Sequence, residues 1–318
     1  DASAATWQTL PLHSGKLGST SDQRKFVKGI VDLSDFANTT ESSNVTVALH
    51  YQGSDAVWTS KNRNGTFYIA DLQFFVQNTP LKDIWSGALN SDYFNPSNWI
   101  HKAVPTAISN TIVIPKEVGN YPTLDTSITA KEISIKSGAT LIANESVHAT
   151  VTYEKEVTSA WELLAPPVEG SYYDTFWSDA NSIDYTSEGN WAIGVYDNTS
   201  TSNFWNYSDG TQTDFESGKG YLVKRASAGV VSFEGMLQYT DLSNVSMSQG
   251  NTGYNLIGNP YTACLNSSSL LKDTNNAALL DSETLWVLNT ETGNYEAQLS
   301  EDVTSLEIAP GQGFFVKT

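Results

Sequence analysis

The C-terminal half of the sequence contains one pattern twice. Three pairs of segments match: 161–168 (WELLAPPV) with 254–261 (YNLIGNPY), 193–205 with 285–295, and 218–224 (GKGYLVK) with 311–317 (GQGFFVK). The first and the last pair have the same offset of 93 residues. A constant offset at both ends indicates a duplicated structural unit, because chance matches would not keep their spacing. We therefore predict two related β-units in tandem.

Glycine and proline mark the ends of the repeated strands. We expect the glycines of the first G-x-G segment, Gly218 and Gly220, to admit a bulge or a tight bend where the strand begins. Pro167 and Pro260 are predicted to end their strands at a sheet edge. A phosphate-binding loop is not expected at Gly218, because no helix follows it.

Charge and composition limit the classes of partner. The 318 residues carry a formal net charge of −18, and only 16% of them are charged. Nucleic acid and anionic membrane surfaces attract clustered Lys and Arg, so the charge argues against both as partners, whereas neutral sugars and Ca²⁺ remain compatible. No run of about 18 apolar residues occurs, and we expect no membrane insertion. The single cysteine, Cys264, has no disulfide partner, and we predict a buried thiol there.

Residues 1–82 have the alternation of a β-sandwich. Apolar residues occupy every second position of 45–51, which predicts a half-buried strand. Asn64-Gly65 is a strong hairpin signal, because both residues tolerate positive φ. A second alternating strand, 68–76, follows this turn.

Residues 83–160 consist of short strands separated by glycine and proline. Ile112 and Ile114 recur 21 residues later in the segment 133–135, which predicts successive rungs of a small β-solenoid. In the last strand, 147–153, the odd-numbered residues are predicted to face the core.

The N-terminal segments VDLSDFAN (31–38), VTVALHYQGSDA (45–56) and GTFYIADLQFFV (65–76) resemble the closing half of jelly-roll modules of the choice-of-anchor type. The strands that should precede this half are sparse in residues 1–30. The resemblance therefore implies a sandwich that is partial or completed from elsewhere.

The order of NPSNW (95–99), SGATL (137–141) and the intervening Val-Pro and Ile-Pro pairs is similar to a module common in large surface proteins of Bacteroidetes-type bacteria. In the same proteins, strands like 254–261 and 311–317 often lie just before the sorting domain used by type IX secretion. The resemblance implies export to the cell surface, and it concerns architecture more than chemistry.

Together these patterns predict an all-β fold: a partial jelly-roll sandwich, a short β-solenoid-like middle module and two tandem related β-sandwich units. The predicted boundaries are 1–82, 83–160, 161–253 and 254–318. We expect a non-enzymatic, extracellular or cell-surface adhesin or scaffold segment, with surface glycans or other cell-surface proteins as partners. The alternative is a carbohydrate-binding accessory region of a larger polysaccharide-acting protein.

Catalysis is not expected from the motifs. No G-x-S-x-G sequence surrounds a serine, and the four histidines lack the spacing of zinc ligands. The paired carboxylates of a glycoside hydrolase meet only in the folded chain, so a hydrolase remains the third hypothesis.

The segment 171–184 of the first repeat is rich in acidic and aromatic residues, unlike the matching part of the second repeat. Asp174, Asp179 and Asp184 are candidate Ca²⁺ ligands, because calcium prefers several oxygen ligands from nearby side chains and carbonyls. A plain capping loop is the alternative for this segment.

Three aromatic residues of the first repeat are candidates for sugar binding: Trp177, Trp205 and Tyr207. The apolar face of a pyranose ring stacks on an exposed aromatic ring, while neighbouring polar groups bind its hydroxyls. Packing in the core is the alternative for each of them.

Overall fold

The computed structural model describes residues 82–106, 111–243 and 245–318. The predicted jelly roll over 1–82 lies outside the described residues, apart from residue 82. The strands of the described part are β1 (Lys82–Ile84), β2 (Thr111–Ile114), β3 (Thr123–Leu124), β4 (Ile128–Ile135), β5 (Ile142–Ala143), β6 (Val147–Val157), β7 (Trp161–Leu164), β8 (Tyr172–Tyr173), β9 (Trp191–Tyr196), β10 (Trp205–Ser208), β11 (Thr213–Asp214), β12 (Tyr221–Lys224), β13 (Gly229–Gly235), β14 (Tyr254–Gly258), β15 (Leu265–Asn266), β16 (Thr284–Leu288), β17 (Tyr295–Leu299), β18 (Glu307–Ile308) and β19 (Gly313–Lys317). The helices of the same part are α1 (Thr175–Ala180), α2 (Ser267–Lys272), α3 (Thr274–Ala277) and a 3-10 turn, Pro96–Asn98. The predicted all-β class is confirmed.

The middle segment coils into stacked parallel strands. β1, β2, β4 and β6 are neighbours in one sheet, and β3 pairs with β5 in a second. Ile112 pairs with Ile133 and Ile114 pairs with Ile135, which confirms the predicted rungs. All four isoleucines are buried, because alternate residues of each rung point into the coil. β6 shows the predicted alternation, with its odd-numbered residues facing the core.

The segment 95–99 forms a buried turn within this coil. Asn95 caps the 3-10 turn by accepting a hydrogen bond from the Ser97 backbone N–H at 3.0 Å. The fully buried amide of Asn98 accepts from two backbone N–H groups and donates to one backbone carbonyl. Trp99 packs edge-on against Trp85, at 5.1 Å between ring centroids. The Asn and Trp of this motif are therefore structural residues.

The two repeat units, 161–253 and 254–318, contain four-stranded sheets with the same order. The sheet of the first unit has the order β10-β9-β12-β7, and that of the second has the order β17-β16-β19-β14. Trp161 pairs with Lys224, and Tyr254 pairs with Lys317, so the paired residues also keep the 93-residue offset. The duplicated sequence is thus a duplicated structure.

The two repeat sheets pack face to face. Leu163 and Leu222 of the first unit form one buried cluster with Leu256 and Phe315 of the second unit. The opposite face of the second sheet is covered by α2 and the β15–β18 pair, which enclose a small core of its own.

The opposite face of the first sheet belongs instead to the core of the middle module. β13 follows β12 in the chain but does not belong to the sheet of the first unit. It pairs antiparallel with β6 over seven residue pairs, from Gly229↔Val157 to Gly235↔Val151. Tyr221 of β12 and Val151 of β6 are members of one continuous hydrophobic core. The middle module and the first unit therefore share both a sheet and a core.

The contacts between the two units are reciprocal. The Ala165 N–H donates to the Gly311 carbonyl at 3.1 Å, and the Gly258 N–H donates to the Gly218 carbonyl at 2.9 Å. Ala165 and Gly258 are equivalent residues of the two units, and so are Gly218 and Gly311, so each hydrogen bond is the counterpart of the other. The same correspondence relates two isolated β-bridges between the units, Leu164↔Gln312 and Lys219↔Ile257. The units thus meet through an approximate two-fold relation, as subunits do in an isologous dimer.

This interface explains the repeated G-x-G segments. The first glycines, Gly218 and Gly311, have φ values of 76° and 71° and form the predicted tight bend. A Cβ on Gly220 would lie 2.7 Å from the Ile257 carbonyl oxygen, and one on Gly313 would lie 3.1 Å from the Leu164 carbonyl oxygen. The second glycine is therefore required for close approach to the other unit.

The environment of Cys264 differs from the expectation of a buried thiol. Cys264 is exposed, so its predicted burial is wrong. It lies in the irregular segment before β15 rather than within a strand, where alternation would have buried it.

Among the helices of the described residues, none has the length and apolar character to cross a bilayer.

Candidate functional site

Trp177, the first predicted sugar-binding residue, lies on α1 and is partly buried. Its indole Nε1 donates to the Ser232 carbonyl at 3.0 Å. Its ring packs on Phe215 and Phe233, with centroid distances of 5.1 and 5.9 Å. The indole therefore attaches α1 to β13, and its polar atom is satisfied within the protein.

Trp205 and Tyr207, the other two predicted residues, lie on β10 on the side that faces the second unit. The Trp205 ring lies 5.3 Å from Tyr196 and 6.4 Å from Phe315 of the second unit. The Tyr207 ring lies 5.8 Å from Trp161, and burial raises the pKa of its hydroxyl. Both rings take part in packing, and the structure does not bring either of them together with Trp177.

The second unit shows what Tyr207 does in the fold. Tyr207 pairs across strands with Gly194, whereas the equivalent pair in the second unit is Ala297 with Trp286. A Cβ on Gly194 would lie 3.1 Å from the Tyr207 ring. Each unit therefore places one large ring at this cross-strand pair, but on opposite strands. The sequence signal for this difference was a small residue in one unit, Gly194, at the position where the other unit has a tryptophan, Trp286.

The predicted calcium ligands have separate contacts. Asp174 caps α1 by accepting from the Trp177 backbone N–H at 2.7 Å, as Asn266 caps α2 in the second unit. Asp184 accepts from the Lys224 ammonium at 2.7 Å, which lowers the pKa of its carboxyl group. Asp179 is exposed at the end of α1.

The second unit repeats the Asp184–Lys224 contact as Asp281–Lys317, also at 2.7 Å. In both units the backbone N–H of the aspartate also donates to the carbonyl of the paired lysine, at 2.9 Å. These contacts belong to the shared fold. Within the described ranges, no group of three or more His, Cys, Asp or Glu side chains is arranged to hold a metal ion. Calcium binding at this loop stays a prediction.

Two of the pockets among the described residues are small. One of about 120 Å³ lies where the three modules meet and is lined in part by Lys155, Glu162 and Gln312. The Lys155 ammonium donates to the Pro310 carbonyl at 3.4 Å, and burial lowers its pKa. A second pocket, of about 150 Å³, lies beside Tyr261. Both volumes are below the roughly 300 Å³ of an ordinary small-molecule site.

The structure also presents an aromatic pair at the protein surface that the sequence analysis did not select. Tyr185 and Trp191 face each other across a hairpin, with ring centroids 5.0 Å apart and planes inclined by 70°. Tyr185 is 57% exposed, and Trp191 is partly buried. The signal for this pair was the turn-forming sequence Ser187-Glu188-Gly189 between two aromatic residues.

Comparison of the chain with protein-family models, with curated proteins and with solved structures found no match in any of the three.

Proposed function

We propose that this chain is a non-enzymatic segment of a secreted or cell-surface protein, exported by type IX secretion, that serves as an adhesin and a rigid scaffold. The resemblance of the middle and C-terminal segments to modules of bacterial surface proteins supports the export route. The low content of charged residues and the net charge of −18 are compatible with an extracellular β-protein.

The observation that carries the scaffold role is the way in which the modules are joined. β13 and β6 share seven residue pairs across the middle module and the first unit. The first and second units are then joined by reciprocal backbone hydrogen bonds, such as Ala165 to Gly311 and Gly258 to Gly218. Joints of this kind transmit load through backbone pairing and shared cores rather than through flexible linkers. Such a segment holds binding loops at fixed positions.

A carbohydrate-binding accessory region is the second candidate. One specific observation favours it, the contact between the exposed Tyr185 ring and the partly buried Trp191 ring. An adhesin and an accessory module would both use such a pair, since weak contacts add up when many copies are displayed together.

Two experiments test the proposal. Antibodies raised against the chain should label intact, unpermeabilised cells of the source organism, and labelling only after permeabilisation would contradict surface export. In calorimetry of the full chain, residues 82–318 should unfold in one cooperative transition, because their cores are joined. Separate transitions for the middle module and the repeat units would contradict a rigid scaffold.

A further inference from the structure

The hairpin between Asp184 and Trp191 is present in the first unit and absent from the second. Asp184 corresponds to Asp281, because each pairs with the last lysine of its unit. Trp191 corresponds to Glu283, because the strands that follow have the same pairing register. Six residues separate the first pair in the sequence, and one residue separates the second. Insertions in one copy of a repeat often form its binding surface.

The inserted hairpin holds its aromatic pair in a fixed arrangement. The Tyr185 hydroxyl donates to the Gly189 carbonyl at 2.8 Å, and the Thr186 N–H donates to the Asn190 carbonyl at 2.7 Å. Trp191 pairs on its other side with Ser208 of β10. A ligand that stacks on these rings therefore pays little for ordering them, which favours binding.

The fold does not require the Tyr185 ring, whereas the Trp191 ring also packs against the main hydrophobic core. The second unit completes the same sheet with Glu283 at the position of Trp191 and with no counterpart of Tyr185. By contrast, Tyr207 has a packing equivalent in the second unit, namely Trp286. An exposed aromatic residue that the sister unit lacks is a residue for which recognition is a better explanation than packing.

The contact area that the two rings offer is too small for a specific protein partner. A specific protein interface buries about 800 Å² on each side, whereas one aromatic side chain offers on the order of 200 Å² even when it is fully covered. Two partly exposed rings therefore match a single small, flat ligand unit much better than a protein surface.

The charge around the pair selects the kind of ligand. Glu188 is exposed in the hairpin turn, and Asp209 is exposed next to Ser208, the cross-strand neighbour of Trp191. Lys224 of β12 contacts the hairpin at Asp184, and its ammonium group is already ion-paired there. Carboxylates repel an acidic sugar or a phosphate, but they accept hydrogen bonds from hydroxyl groups.

We propose that Tyr185 and Trp191 form a binding site for a neutral pyranose unit of a polysaccharide, with Glu188 and Asp209 as acceptors for its hydroxyl groups. The proposal rests on the adhesive part of the proposed function and is independent of its scaffold part.

Affinity electrophoresis of the full 318-residue chain tests this site. The gels contain dextran, xylan, mannan or a soluble β-1,3-glucan as neutral probes, and alginate as an acidic probe. We expect at least one neutral polysaccharide to retard the chain and alginate to leave its mobility unchanged. Tyr185→Ala should weaken the retardation by about tenfold, which corresponds to the loss of a stacking contact of about 1.4 kcal/mol.

Two further variants make the result specific. In one, residues 185–190 are replaced by a single serine, which reproduces the connection of the second unit and should remove the retardation. In the other, Tyr295→Ala removes a tyrosine of similar exposure on β17, and this variant should bind like the unaltered chain. Melting curves establish that each variant is folded, and Tyr185→Ala alone suffices if the shortened hairpin does not fold.

The site is wrong if no neutral probe retards the chain, if alginate is preferred, or if Tyr185→Ala binds as well as the unaltered chain. These outcomes leave the scaffold role intact, because that role depends on the cooperative transition and on surface labelling.

Discussion

The two repeat units have the same strand order and register, yet different neighbours cover their outer faces. The first unit shares its outer face with the middle module through Tyr221 and the β13–β6 pairing. The second unit closes its own core beneath α2, with Leu271 and Phe314 inside. The comparison separates residues that the common fold requires from those that one unit has acquired. Asp184 and Lys224 belong to the first class, and Tyr185 and Trp191 belong to the second.

The same comparison distinguishes two ways to end the first strand of each unit. In the second unit the fully buried Asn259 donates to the carbonyls of Ala263 and Ile308 and accepts from the Tyr261 N–H. The first unit has a proline, Pro166, at this position. A proline needs no partner for its own nitrogen, so the first unit requires fewer hydrogen bonds to end the strand.

The largest expected loss of stability comes from a substitution in the interface between the two repeat units. Gly220→Ala should lower the free energy of unfolding by about 2–3 kcal/mol, because the new Cβ would lie 2.7 Å from a backbone oxygen. Gly313→Ala, with 3.1 Å to the equivalent oxygen, should cost less. Gly119→Ala is the matched control, since its Cβ would lie 3.7 Å from the nearest atom. Denaturant unfolding measures all three, and equal effects would contradict the interface.

The second prediction removes the buried amide of the second unit. Asn259→Ala should cost about 2 kcal/mol or more, because two carbonyls and one N–H lose their partner in a buried site. Asn275→Ala, at an exposed position on α3, should change the free energy of unfolding by less than about 0.5 kcal/mol. Similar values for the two variants in thermal melts would show that Asn259 is not needed to end the strand.

The third prediction transfers the aromatic arrangement of the second unit to the first. Tyr207→Ala and Gly194→Trp should each destabilise the chain, one by removing a ring and the other by a clash with Tyr207 and Trp205. The double variant should be more stable than the sum of the single effects implies, by about 2 kcal/mol. Additive effects in a double-mutant cycle would argue against the exchange of rings between strands.

A chelator tests the calcium prediction for the first unit. Suppose that Asp174, Asp179 and Asp184 bind calcium and that free calcium is present at about ten times its dissociation constant. Removing the calcium then lowers the free energy of unfolding by about 1.4 kcal/mol by mass action. The melting temperature should then fall by a few degrees, and Asp179→Asn should abolish this difference. A melting curve that chelator leaves unchanged rejects the prediction.

The smallest expected effect concerns the Asp184–Lys224 pair. Lys224 lowers the pKa of Asp184, so the pair stabilises the fold above the ordinary aspartate pKa of 3.8, and this stability is lost as the pH falls through the lowered value. Both side chains are about one third exposed, so the contribution should stay below about 0.5 kcal/mol. Melting temperatures from pH 5 to pH 2 should show a slightly smaller decline for Lys224→Met. An unchanged decline would mean that the pair does not stabilise the fold.

Local patterns in the sequence predicted much of the architecture. The 21-residue recurrence of Ile112 and Ile114 gave the rungs of the coil, since residues that stack must be spaced by one turn. The repeated segments gave the two sheets, because a duplicated pattern of strands pairs in the same way. The candidate site was predicted less well. Trp177 and Trp205 are aromatic residues in segments that look like loops, and only the fold shows that their rings are packed.

The sequence by itself determined the all-β class of this protein and its repeats, because periodicity and turn chemistry act over short distances along the chain. Only the tertiary structure decided how the two units face each other and why the second glycine of each G-x-G segment is needed. It also decided which aromatic rings remain exposed. Those properties depend on contacts between residues that are far apart in the sequence, and no local pattern records them.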